Sequence, residues 1–213
     1  MKNNNKIFLG EFIASCFLVM VIVGSGIMAE NLTNDNAVRL LANTIATGAG
    51  LFVLITAFAN ISGAHLNPFV SLSMYLTKRI KGKELLTFIP AQILGCLLGV
   101  MLANVFFEHS IIELSTKNRD GFHIFLSEIV ATFGLIFIIF ATLKDGKTTV
   151  AACVATYISA GYWFTSSTSF ANPAVAIART FTDSFTGINY LNTPTYIFAE
   201  LLGAIVAIYI IKR

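Results

Sequence analysis

Two stretches of this chain, residues 40–77 and 148–178, contain no charged side chain. Each holds one Asn-Pro pair, in His65-Leu66-Asn67-Pro68-Phe69-Val70 and in Phe170-Ala171-Asn172-Pro173-Ala174-Val175. A membrane-spanning helix needs about 20 mostly apolar residues, so each stretch holds more than one span's worth of chain. The surplus must sit at membrane depth without crossing. Asn followed by Pro is a strong helix start, because the Asn side chain accepts from free backbone N–H groups and Pro at the first helical position loses no needed bond. A helix starting at either pair therefore begins inside apolar surroundings.

Further charge-free runs cover residues 12–29, 85–107, 129–143 and 184–199, the last continuing after Glu200 to residue 211. With 56% hydrophobic and only 12% charged residues, against about 25% charged in soluble domains, the chain reads as an all-α integral membrane protein. Helices are predicted at 7–28, 38–60, 84–107, 122–143, 148–165 and 194–211. Lys2 and Lys6 precede the first run, but its length and Val/Ile-rich end predict a retained helix, not a cleaved signal. Cys16, Cys96 and Cys153 fall inside predicted spans, where Cys acts as a small apolar residue, so no disulfide, metal site or cofactor is expected. Lys2, Lys6, Lys78, Arg79, Lys81, Lys83, Lys144, Lys147, Lys212 and Arg213 all fall on one side of a six-helix chain. The positive-inside rule makes that side, with both termini, cytoplasmic in a cell membrane; the basic residues form no nucleic-acid-binding stripe.

Residues 67–77 and 172–183 are too short to span but can reach from mid-membrane to one surface at 1.5 Å per residue. They read as re-entrant half-helices. Glu11 has a counterpart in Glu128, and Gln92 in Ala91-Gln92-Ile93-Leu94-Gly95 has one in Glu200 of Ala199-Glu200-Leu201-Leu202-Gly203. Three markers thus recur in one order, predicting repeats at about 7–107 and 122–213 within a single channel domain. With three spans each, the second repeat is inverted relative to the first. The half-helices then enter from opposite faces and meet at their N-termini.

Helix N-termini carry partial positive charge, so two of them facing each other disfavour cations, including hydronium, where these are most desolvated. Asn67 and Asn172 can cap their helices and still offer an amide N–H to a neutral solute. The irregular segments 61–66 and 166–171 are tolerated at membrane depth only if they line a water-filled path or are buried in protein. Glu11 and Glu128 have few basic residues near them, which makes backbone N–H groups of these loops the expected partners and both carboxylates structural anchors. His65 is expected to be a packed loop histidine, and Gly24, Gly95 and Gly99 to be close-packing positions between helices.

These residues resemble the aquaporin superfamily, also called the major intrinsic proteins, over nearly the whole chain. The resemblance implies a homotetramer with one pore per subunit, passing water or small neutral solutes passively. Phe69 stands where the family usually has Ala; its ring either narrows the constriction or packs behind Pro173, and packing is favoured. The family generally has Arg three residues after the second Asn, where this chain has Val175, with Arg179 one helical turn further out at the outer vestibule. Counting back from Asn67 and Asn172 to the positions that carry an aromatic residue and His in water-selective members gives Thr47 and Ala160. The implied selectivity filter is Thr47, Ala160, the Ser169 carbonyl and Val175, wider and less polar than a water filter. The 162–174 segment resembles bacterial aquaglyceroporin-like members associated with arsenic resistance, which implies glycerol-like polyols and uncharged metalloid acids as permeants.

Two alternatives stay open at this point. In an orthodox water channel, Arg179 and an aromatic such as Tyr162 or Trp163 would restore a narrow filter. A secondary transporter would need coupling-ion ligands, and only Glu11, Glu128 and Glu200 are charged deep in a span. No nucleophile, base and orienting group converge as an enzyme would require.

Overall fold

The computed structural model describes residues 4–213 and is helical throughout, with no strands among them. In chain order the helices are α1 (Asn4–Leu32), α2 (Asn36–Phe58), the short α3 (Pro68–Leu76), α4 (Gly82–Phe106), α5 (Phe122–Thr142), α6 (Lys147–Phe164), the short α7 (Pro173–Ala178) and α8 (Thr193–Ile211). Lys2, one of the residues that orient the chain, lies outside the described residues. Six helices cross the membrane and α3 and α7 are the re-entrant pair. The long helices lie within a few residues of the predicted ranges; α1 is the most extended, beginning at Asn4 and ending at Leu32.

Five of the six long helices are apolar enough over their length to cross a membrane. The sixth, α6, is diluted by Thr148, Thr149, Thr156, Ser159 and Gly161. Small residues serve packing here: a Cβ on Gly48 of α2 would come within 2.2 Å of Ser159 Oγ on α6. The second half-helix is shorter than predicted. Its α-helical part stops at Ala178, a tighter turn covers Arg179–Phe181, and Thr182 is extended.

The repeat is visible in the closest helix crossings. α1 packs most extensively on α4, and α5 on α8. A Cβ on Gly95 of α4 would sit 2.3 Å from the Phe12 carbonyl oxygen of α1, and one on Gly203 of α8 would sit 2.4 Å from the Ile129 carbonyl oxygen of α5. Each glycine lies three residues after Gln92 or Glu200, and each carbonyl one residue after Glu11 or Glu128. Only a residue without Cβ lets these backbones approach so closely. The close crossings in turn bring the four polar side chains into the protein interior, where all four are fully buried.

Candidate functional site

The two half-helices meet at their N-termini through a reciprocal pair of bonds. Asn67 Oδ1 accepts from the N–H groups of Phe69 (2.8 Å) and Val70 (3.4 Å), capping α3, while its Nδ2 donates to the Ala171 carbonyl at 2.6 Å. Asn172 Oδ1 accepts from Ala174 (3.1 Å) and Val175 (3.4 Å), capping α7, and its Nδ2 donates to the Leu66 carbonyl at 2.7 Å. A side-chain amide has two N–H donors. One from each Asn locks the opposite loop, and the second is available to the lumen that both residues border.

The loops before the half-helices are strained in the same way. Ala64 and Leu66, three and one residues before Asn67, have φ of 52° and 54°; Ser169 and Ala171, at the same offsets from Asn172, have 53° and 48°. Left-handed backbone costs about 1–3 kcal/mol at each non-glycine position, so the surroundings must hold it. Glu11 does so in the first repeat: Oε1 accepts from Ser62 Oγ (2.6 Å) and the His65 N–H (3.1 Å), and Oε2 from the Leu66 N–H (2.7 Å) and Gln92 Nε2 (2.8 Å). In the second, Glu128 accepts from the Phe170 (2.9 Å) and Ala171 (2.8 Å) N–H groups, and Glu200 from that of Asn172 (2.9 Å). These four side chains fix the backbone that forms the middle of the lumen. His65 borders the lumen and is packed, with its ring stacked on Phe88 at 4.1 Å and Nδ1 3.0 Å from Ser71 Oγ.

The lumen between the repeats has a volume of about 350 Å³. The only charged side chains on its wall, among the described residues, are basic: Arg79 and Lys147 toward one end and Arg179 toward the other. Toward the Arg179 end the wall includes Thr47, Tyr162, Ser169 and Val175. Thr47 Oγ1 and the Tyr162 hydroxyl are 3.1 Å apart and share one hydrogen bond. Arg179 Nε donates to the Thr186 carbonyl, and its guanidinium lies 3.5 Å from the Phe170 ring centre. Arg119, on the loop before α5, donates to the Gly187 carbonyl (2.8 Å) and the Phe185 carbonyl (2.9 Å). Three successive loop carbonyls thus hold two guanidinium groups at this mouth.

Of the residues assigned to a filter from the sequence, Thr47, Ser169 and Val175 share this wall and Ala160 does not. Ala160 is exposed on the outer surface of α6. Two residues along a helix turn by about 200°, so Ala160 points away from the side on which Tyr162 faces the lumen. Counting back from Asn172 took the loop before it to be of fixed length. A better signal was present: Val150, Val154, Ile158 and Tyr162 recur every four residues and all border the lumen. Trp163 faces outward. Phe69 does not border the lumen; its ring packs with Ile136 of α5 and Ala204 and Ala207 of α8. Pro68, Pro173 and Ala174 are buried in the first turns of the half-helices.

Six spanning helices around two half-helices that meet at paired asparagines define a passive membrane channel for small solutes, not an enzyme. The chain belongs to the major intrinsic protein family, whose model matches residues 1–160. It is 46% identical over 204 residues to aquaglyceroporin AqpS of Rhizobium meliloti (strain 1021), covering 96% of this chain and 88% of that one. It is 28% identical to aquaporin-4 of Rattus norvegicus over 211 residues, which is 95% of this chain but 65% of the relative. The X-ray structure of the aquaglyceroporin from Plasmodium falciparum superimposes with a TM-score of 0.77 at 21% identity, covering 97% of this chain and 95% of that one, a likeness of fold.

Proposed function

We propose that this channel conducts glycerol-like polyols and uncharged metalloid acids such as arsenous acid, together with water, and rejects ions and protons. The observation that carries this reading is Val175 on the lumen wall, one turn inward of Arg179. With an isopropyl group at that level in place of a polar or charged side chain, and the Tyr162 hydroxyl hydrogen-bonded to Thr47, the wall there offers apolar surface suited to the carbon face of a polyol. The two asparagine amides supply donors for solute hydroxyls, and the facing half-helix N-termini disfavour cations. The name of the 46% identical relative, an aquaglyceroporin, supports the same reading.

In proteoliposomes, stopped-flow light scattering should register glycerol and arsenous acid flux above that of empty vesicles; water flux with neither solute would overturn the proposal. Val175→Arg should remove most of the glycerol flux and leave water flux largely intact. A second reading, a water-selective pore, is favoured by Tyr162 and Arg179 both bordering the lumen. That reading requires Val175→Arg to change solute flux little.

We further infer a homotetramer with both termini cytoplasmic in the plasma membrane, built from the two repeats at about 7–107 and 122–213. Large apolar side chains exposed on α1, α2 and α5 supply faces for lipid and neighbouring subunits, and the basic side chains cluster at the end of the molecule that holds Lys78, Arg79, Lys144, Lys147 and Lys212. Native mass spectrometry of the detergent-solubilised protein tests the first point, and protease access to a C-terminal tag in sealed vesicles tests the second.

A further inference from the structure

An open groove of about 500 Å³ lies where α3 ends, beside the C-terminal end of α8 and the Phe140 turn of α5. Its floor is apolar, made by Leu76, Phe140 and Ile211, and its rim carries Lys78, Arg79 and Lys212. Among the described residues, none of these three side chains makes a hydrogen bond or an ion pair, and no acidic residue borders the groove. Arg79 rests on the Phe140 ring, its guanidinium carbon 5.4 Å from the ring centre. Exposed apolar side chains stand on both helices that border the groove, at Phe137 of α5, one turn from Phe140, and at Ile210 and Tyr209 of α8.

We propose that this groove binds the phosphate headgroup of an anionic phospholipid, with the acyl chains lying along α5 and α8. Three unpaired cations around an apolar floor at the end of membrane-embedded helices suit a ligand that is anionic at one end and apolar below it. A soluble phosphate would satisfy the rim but leave the floor and these apolar side chains of α5 and α8 uncovered. Arg79 also borders the lumen, so the bound headgroup sits next to one mouth of the pore.

The test uses purified full-length protein in detergent, titrated with phosphatidylglycerol, phosphatidylcholine or glycerol 3-phosphate, and read by native mass spectrometry and thermal unfolding. Phosphatidylglycerol should be retained and raise the unfolding temperature, whereas the other two should do neither. The double variant Lys78→Asn, Lys212→Gln should weaken phosphatidylglycerol retention by about fivefold for each cation removed. Asn is chosen because Lys78 has φ of 61°, a conformation Asn tolerates. A control, Lys83→Gln with Lys144→Gln, removes two cations that do not border the groove and should retain the lipid. Water flux of both double variants in phosphatidylcholine vesicles should match the parent and establishes that they fold. Equal retention by the two double variants overturns the site, and equal protection by glycerol 3-phosphate overturns the lipid as its ligand.

Discussion

The two repeats hold the same strained loop with different chemistry. In the first, one carboxylate, Glu11, takes four donors, one of them the amide of Gln92. In the second, two carboxyl groups, Glu128 and Glu200, divide three successive backbone N–H groups between them. The backbone result is nearly identical, with left-handed residues three and one before each Asn and one Asn amide crossing to each opposite loop. What the architecture demands is therefore a set of acceptors at fixed points, not a particular side chain. The first repeat concentrates its acceptors in one residue, and the second spreads them over two helices.

That difference predicts an unequal response to losing the anchor. Each buried donor left without a partner costs about 1–3 kcal/mol. Glu11→Ala strands a hydroxyl, two backbone N–H groups and an amide, four donors in all; Glu128→Ala strands two backbone N–H groups and the Ser167 hydroxyl, three donors. Gln92 Oε1 and Glu200 Oε2 are both unengaged and can move in as substitutes, but a carboxylate oxygen is the stronger acceptor. Glu11→Ala should therefore reduce stability in detergent more than Glu128→Ala, to the point of little folded protein. Thermal unfolding followed by size-exclusion chromatography measures this; an equal loss would show that the two anchors are equivalent, and a reversed order that the number of donors does not set the cost.

Exchanging the partners sharpens the comparison. Gln92→Glu removes the donor to Glu11 and to Ser71 and sets a second carboxylate against one already saturated with donors. Leaving a buried charge in that condition costs on the order of 3–5 kcal/mol. Glu200→Gln keeps an oxygen for the Asn172 N–H and gains an amide donor beside Glu128, so its cost should stay within about 1 kcal/mol. Unfolding temperatures of the two variants should separate widely, with Glu200→Gln close to the parent.

A smaller contrast lies in the caps. Asn67→Ala and Asn172→Ala each remove one cap and one crossing bond, and a lost N-cap costs about 0.5–2 kcal/mol. α3 has nine residues but α7 has six, followed by a tighter turn, so α7 has fewer internal bonds to fall back on. Asn172→Ala should be the less stable of the two by thermal unfolding, and the order inverts if α7 is held mainly by its side-chain packing.

The features legible in the sequence are those that depend on residue type and fixed local spacing. Asn-Pro specifies a helix start wherever it occurs, and a Glu in an apolar run with few basic residues nearby must find backbone donors, so Asn67, Asn172, Glu11 and Glu128 could be read without the fold. The length of α7 could not, because it ends where Arg179 reaches the Thr186 carbonyl, a contact made by a later loop. Nor could the wall near Arg179 be reached by counting residues. The face of α6 that meets the lumen carries Val150, Val154, Ile158 and Tyr162, not Ala160.

Phe69 and Ala174 occupy equivalent positions after their Asn-Pro pairs, and they test whether this position controls permeation at all. Ala174 is buried among the residues of the central core. Phe69 fills space against Ile136, Ala204 and Ala207, away from the lumen, because α3 packs on α8 at that point. Phe69→Ala therefore opens a void between α3, α5 and α8 without widening the pore. Full truncation of a buried Phe costs about 3–5 kcal/mol, and this half-buried ring should cost less. Glycerol and water flux per folded channel should be unchanged, and a rise in glycerol flux would mean that the ring governs the lumen from behind, through the position of Asn67.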